Sequence, residues 1–182
     1  MTARRRPDPP AATGTKLANA SLVRRYAALA YEGLLLAAIV LVTGFATLPL
    51  VSPSLRISHT LEVPSVAARV FSACVEFGVA GIYFVWSWTD GRRTLPMQTW
   101  RIALMRSNQR PVDARTAVIR YLAAWIGPLA SLVAYEALAP GTSATQAFWL
   151  ATLNYLWPIV DPERQFLHDR IAGTRIVMDR AA

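Results

Sequence analysis

From Tyr26 to Leu50 the chain is apolar or small-residued almost without interruption, and Glu32 is its one ionisable acid. At 1.5 Å per residue this run is long enough for a hydrocarbon core of roughly 30 Å. Comparable runs follow at residues 65–88 and 116–138, and a shorter one at 143–160. A bilayer supplies no water to pair with backbone amides, so segments that cross it are helices or closed barrels, and runs of this length are helices. Charged residues make up 16% of the chain, against about 25% in soluble domains. That deficit leaves too little charge for a wholly water-facing surface.

Where the charges lie sets the orientation. The net charge is +8 and the pI near 10.5, values that would also suit a nucleic-acid binder. The arginines, however, cluster at the ends of the apolar runs, so nucleic acid is not the expected partner and the lipid bilayer is. The N-terminal stretch carries Arg4, Arg5, Arg6, Lys16, Arg24 and Arg25, and the first loop only Arg56. The middle loop carries Arg92, Arg93, Arg101, Arg106, Arg110 and Arg115; the next short loop has no basic residue; the tail has Arg164, Arg170, Arg175 and Arg180. Basic residues stay on the cytoplasmic side. The pattern therefore reads in, out, in, out, in: an even number of crossings, which requires the short run at 143–160, near the lower limit of spanning length. The expected fold is an all-α membrane protein, a bundle of four transmembrane helices in a bacterial inner (plasma) membrane with both termini cytoplasmic. Arg4–Arg6 could open a signal peptide, but Pro7, Pro9 and Pro10 follow and the apolar run starts only near Tyr26, so an uncleaved anchor is expected.

Residues 1–20 lack apolar periodicity and read as a disordered basic arm ahead of a transmembrane domain over 21–180. In the middle loop, Trp100, Ile102 and Leu104 alternate with Arg101, Ala103 and Met105, the period of a short strand. A second strand is expected at Thr174–Met178, and pairing of the two gives a small two-stranded cytoplasmic sheet. Asn108–Pro111 reads as a turn. Pro128 inside the third run is tolerable where a neighbouring group satisfies the carbonyl it frees.

Cys74 is the only cysteine, and His59 and His168 are the only histidines. They form no zinc-ligand spacing, and no nucleophile–base pair or phosphate loop is evident. Neither metal nor cofactor nor enzymatic activity is expected.

Charges inside apolar runs are costly, about 2.5–3.5 kcal/mol for Asp, Lys or Arg at a helix centre, and mark positions of interest. Glu32 and Arg120 lie at similar depth near the cytoplasmic edge and form a candidate pair, with Arg25 on the face of Glu32 two turns below. They read either as a buried ion pair that fixes helix packing or as an ion or proton site. Glu76 lies near the midplane of the second run, where no basic residue of the other runs is level with it. Its readings are a neutral acid hydrogen-bonded to a neighbour and a proton or ion relay. Arg69 and Glu136 lie near the outer face and are expected to snorkel. Gly33 with Ala37, and Gly78 with Gly81, mark faces for close helix packing.

The run Arg24-Arg25-Tyr26-Ala27-Ala28-Leu29-Ala30-Tyr31-Glu32 resembles the opening of the RDD family of small bacterial membrane proteins, named for one arginine and two aspartates. The resemblance implies that Arg25 is that arginine and that Glu32 stands where the family keeps its first aspartate. Gly91-Arg92-Arg93-Thr94-Leu95-Pro96-Met97 resembles the family's middle loop, although the basic residue expected near Met97 is missing. Arg120-Tyr121 resembles its R-Y. Gln165–Arg175 resembles its Q-x-L-H-D-R-x-A-G-T tail, which places the second aspartate at Asp169. The resemblance covers about residues 20–180. It implies that Arg25, Glu32, Arg120, His168 and Asp169 gather at the cytoplasmic end, as a gate, an ion site or a clasp tying the tail to the bundle. It further implies transport of an undefined ligand. Two functions follow: transport of protons, a cation or a small solute, or a non-transporting membrane scaffold or accessory subunit. As a homo-oligomer or with another membrane protein, either fits.

Overall fold

A computed structural model describes residues 17–51, 64–137 and 146–179 of the chain. The first long helix, α1 (Leu22–Val51), starts four residues ahead of the apolar run, so Arg24 and Arg25 lie in its first turn. Ser65 caps α2 (Val66–Trp88) by accepting the Ala68 N–H. The chain then leaves the helix through a 3-10 turn at Thr89–Gly91, where Asp90 (φ 55°) and Gly91 (φ 75°) both take left-handed backbone. Thr94 caps a short helix inside the middle loop, α3 (Leu95–Thr99), which the sequence pattern does not anticipate. It leads into β1 (Ile102–Arg106).

Asp113 caps α4 (Ala114–Ala124), and after a break at Trp125 the chain continues as α5 (Ile126–Ala137). The expected third span is thus two helical pieces. Proline at 128 has no N–H to bond Ala124, four residues earlier, and the ladder opens there. Over the fourth run, 143–160, the described residues form α6 (Phe148–Leu156) and a 3-10 turn at Trp157–Ile159; residues 143–145 lie outside the described residues. So does nearly all of the loop expected at 51–64. Among the described residues three helices are long and apolar enough to cross a membrane: Leu22–Val51, Val66–Gly91 with its terminal turn, and Ala114–Ala137 taken through its break.

The tail forms α7 (Leu167–Ala172), which ends on Gly173 in the left-handed conformation (φ 64°), and β2 (Thr174–Met178). β1 and β2 pair antiparallel with Leu104 opposite Ile176, the sheet expected from the alternation. The other edge of β2 is also occupied. Ala20 N–H donates to Ile176 O, Met178 N–H donates to Ala18 O, and Asn19 bridges Val177. Residues 18–20, the end of the stretch read as a disordered arm, are docked here, because an open strand edge presents unpaired amides that a neighbouring segment satisfies; residues 1–16 lie outside the described residues.

α1 packs along α2, α2 against α4, α5 along α6, and α4 against α7. The buried core sits at the sheet end, around Phe84, Trp88, Met97, Ile102, Leu104, Tyr121, Phe166 and Ile176. Away from the sheet the helices turn apolar side chains outward, among them Leu41, Val42, Phe45, Leu132 and Val133. Such a surface suits hydrocarbon and would be a liability in water.

Candidate functional site

The short helix α7 places two adjacent residues under the bundle. Asp169 lies in its first turn, where the helix N-terminus favours an anion. Its Oδ1 accepts from Arg120 Nε at 2.8 Å and from the Thr174 hydroxyl at 2.9 Å. Both ions are almost wholly buried, with side-chain exposures of 4% and 1%. Removing either alone would strand a buried charge, so the pair is held as a unit. Arg120 also lies over the face of Trp88, 4.1 Å from the ring centroid.

The hydrogen bonds around His168 define its tautomer. Arg120 Nη2 lies 3.1 Å from Nε2, and a guanidinium can only donate, so Nε2 is the acceptor. Nδ1 therefore carries the proton and donates to Asn154 Oδ1 at 2.9 Å, which also accepts the His168 backbone N–H at 3.0 Å. Burial, with Arg120 adding to it and Asp169 opposing, pushes the imidazole down to about 4, so it is neutral at pH 7. Burial alone would raise the Asp169 carboxyl, but Arg120, His168 and the Thr174 hydroxyl together hold it below the usual aspartate value.

Asn154 completes the network from the other side. Its Nδ2 donates to Ala124 O at 3.2 Å, the carbonyl left free by Pro128. One fully buried amide thus repairs the break between α4 and α5 and fixes the imidazole of the tail.

Above this floor is a chamber of about 260 Å³. Arg25, Glu32, Arg120 and His168 bring the ionisable groups to it; its other walls are largely aromatic and aliphatic, including Phe84, Trp88, Tyr121, Trp125, Tyr155 and Phe166. Glu32 Oε1 accepts from the Thr94 hydroxyl at 2.9 Å. Thr94 Oγ also accepts the Met97 N–H as the cap of α3, so its one proton is free for the carboxylate. Arg25 donates to two carbonyls, Arg164 O at 2.8 Å and Ile176 O at 3.4 Å, and so pins the tail and β2 to α1. Arg25 Nε and Asp169 Oδ2 are buried without a hydrogen-bond partner. Arg25 also borders a second, more open groove formed by residues 17–23 and 162–164 with Arg175, so its side chain stands between chamber and groove.

The residues expected to cluster do meet here: Arg25, Glu32, Arg120 and His168 line one chamber, and Asp169 holds Arg120 from behind. The expected pairing is different. Arg120 forms its ion pair with Asp169, and Glu32 is held by a hydroxyl. The reason is reach: α4 packs against α7, which brings the carboxylate of the tail to the guanidinium. Glu76 stands apart from the chamber, in the α1–α2 seam, where a Cβ at Gly44 would lie 3.7 Å from its Oε1. Among the expected small-residue contacts only Gly81 is tight, where a Cβ would lie 3.0 Å from the Tyr121 ring; a Cβ at Gly33 or Gly78 would meet nothing within 4 Å. The close approach is at Gly127, where a Cβ would lie 2.9 Å from the carbonyl oxygens of Leu150 and Ala151.

Asn154, Thr94 and Thr174 escaped sequence reasoning. Asn154 had a signal, being an isolated carboxamide in an apolar run opposite a helix that contains a proline.

The model of the RDD family matches residues 19–173. No curated protein and no solved structure matches the chain.

Proposed function

This chain belongs to the RDD family, a family of membrane proteins, and from that membership we propose that it binds and moves a small solute through the chamber beneath its helices. The observation that carries this reading is the chamber itself: an apolar interior into which α1, α4 and α7 turn Arg25, Glu32, Arg120 and His168. Ionisable groups at membrane depth face protein interiors or solute paths. The proposal includes a multi-pass topology in a bacterial inner membrane, with both termini cytoplasmic and the run at 143–160 completing a fourth crossing. The alternation of basic and non-basic loops supports that topology. Glu76, deeper in the α1–α2 seam, is proposed as a proton or ion relay on the way to the chamber. No enzymatic step, metal or cofactor is part of the proposal; its partners are the bilayer and other copies of the chain or another membrane protein.

The test is flux in liposomes loaded with pH- and cation-sensitive dyes. Wild type is expected to exceed empty liposomes, with Glu32→Gln and Glu76→Gln reduced to background. Background-level flux in all three proteins removes the transport reading.

The alternative is a scaffold or accessory subunit, and one specific feature favours it. The Arg120–Asp169–His168–Asn154 network ties the tail to the bundle and needs no ligand to be satisfied in most of its bonds. On that reading Glu32→Gln lowers folded yield and association while leaving no ion-dependent phenotype.

A further inference from the structure

Resting on the chamber as the site of the proposed function, we infer that its ligand is a lipophilic ammonium, an organic cation with a short apolar tail that enters from the bilayer beside Gly33 and is held by the Glu32 carboxylate.

The entry is argued from packing. α1 pairs with α2, and α5 with α6, while α4 joins the two pairs near the sheet. The chamber lies between them, from Arg25 up to Leu36 on one side and from Arg120 up to Pro128 on the other. Along α1 that is about 16 Å at the helical rise. Gly33 lines the chamber, is exposed, and would have no atom within 4 Å of a Cβ. The wall is therefore open on α1 at a level inside its apolar span, and a solute dissolved in hydrocarbon can reach the chamber without crossing the sheet.

Charge then selects the head group. Arg120 is compensated directly by Asp169 at 2.8 Å. Arg25 lies two turns below Glu32, its Nη1 and Nη2 bonded to the Arg164 and Ile176 carbonyls at the bottom of the chamber and its Nε without a partner among the described residues. Glu32 sits beside the opening, and among the described residues its one hydrogen bond is from a neutral hydroxyl. Among the described residues no cation is in salt-bridge contact with it. A carboxylate in an apolar enclosure without a direct counter-ion is costly to ionise, and a cation bound against it offsets that cost. The lining includes the aromatic side chains of Tyr121, Trp125 and Tyr155, and an aromatic ring attracts an alkylammonium placed over its face.

The experiment uses the full chain in lipid nanodiscs, with empty nanodiscs as the partition control. The probes are hexyltrimethylammonium, hexanoate and 1-hexanol, and binding is read from the tryptophan fluorescence that Trp88 and Trp125 contribute. Saturable binding of the ammonium is expected, at least about tenfold tighter than hexanoate. Glu32→Gln, which keeps the acceptor for Thr94, weakens ammonium binding by about tenfold or more, and Glu32→Asp retains the preference. Gly33→Leu, whose Cβ would have no atom within 4 Å, weakens or slows binding by filling the opening. Equal or tighter binding of hexanoate overturns the inference, as does ammonium binding unchanged in Glu32→Gln. If hexanol or hexanoate saturates the chamber and the ammonium does not, the ligand class falls while the chamber stands. If none of the three probes binds, the inference falls, and the transport reading is decided by the flux assay alone.

Discussion

Replacing Asn154 by alanine tests whether one carboxamide holds the tail and the broken helix together. The side chain makes three hydrogen bonds: to Ala124 O at 3.2 Å, from the His168 amide at 3.0 Å, and from His168 Nδ1 at 2.9 Å. Truncation leaves a carbonyl and two N–H groups unpaired in a buried site, each costing about 1–3 kcal/mol. The three share one side chain and relax together, so the expected loss is about 3–5 kcal/mol, less than their simple sum. Pro128→Ala isolates one of the three. An amide restored at position 128 bonds Ala124 O itself, so in that background Asn154→Ala should cost about 1–2 kcal/mol less. Unfolding in mixed micelles of SDS and a mild detergent, followed by tryptophan fluorescence, measures all four corners of the cycle. Equal cost of Asn154→Ala in both backgrounds, within about 0.5 kcal/mol, would refute the claim that Asn154 repairs the proline break.

Two further outcomes follow from the same geometry. The His168 imidazole is pushed from 6.5 down to about 4, so the unfolded chain takes up a proton that the folded one refuses as pH falls. Stability is therefore full above about pH 6.5 and declines by roughly 3 kcal/mol towards pH 4; Asp169, held low, adds its own loss only below the ordinary aspartate range. His168→Gln should flatten the decline between pH 6.5 and 4 in the same micellar assay, and an unchanged slope would place the titrating group elsewhere. Gly127→Ala puts a methyl 2.9 Å from two carbonyl oxygens of α6 and should cost about 1–3 kcal/mol, whereas Gly78→Ala meets nothing and should be neutral or stabilising by up to about 1 kcal/mol. Matching melting temperatures for the two variants would show that α5 and α6 do not rely on that close approach.

Several elements were legible because their cause is local. The apolar runs of α1 and α2 announce their own length, Asp90-Gly91 ends α2 through left-handed backbone, and the alternation in 100–105 marks β1. The membership of Arg25, Glu32, Arg120, His168 and Asp169 in one cluster was also legible, through the tail and helix motifs. Their partners were not. Depth along a helix suggested Glu32 for Arg120, yet the guanidinium takes Asp169, forty-nine positions away in the chain, because helix packing outweighs equal depth. The partner of the carbonyl freed by Pro128 needed knowledge of what stands opposite it, and α3, five residues long and capped by Thr94, is too short to show a helical period.

By itself the sequence determined that this is a membrane protein built on long apolar helices, with its basic residues gathered at their ends. Hydropathy and charge act residue by residue on solvation, and solvation needs no knowledge of neighbours. Only the tertiary structure decided which buried charges cancel, which amide answers the freed carbonyl, and that a carboxylate on α1 looks into a chamber. Those are pairwise terms between groups far apart in the chain, fixed once α4 lies against α7 and the sheet closes beneath them.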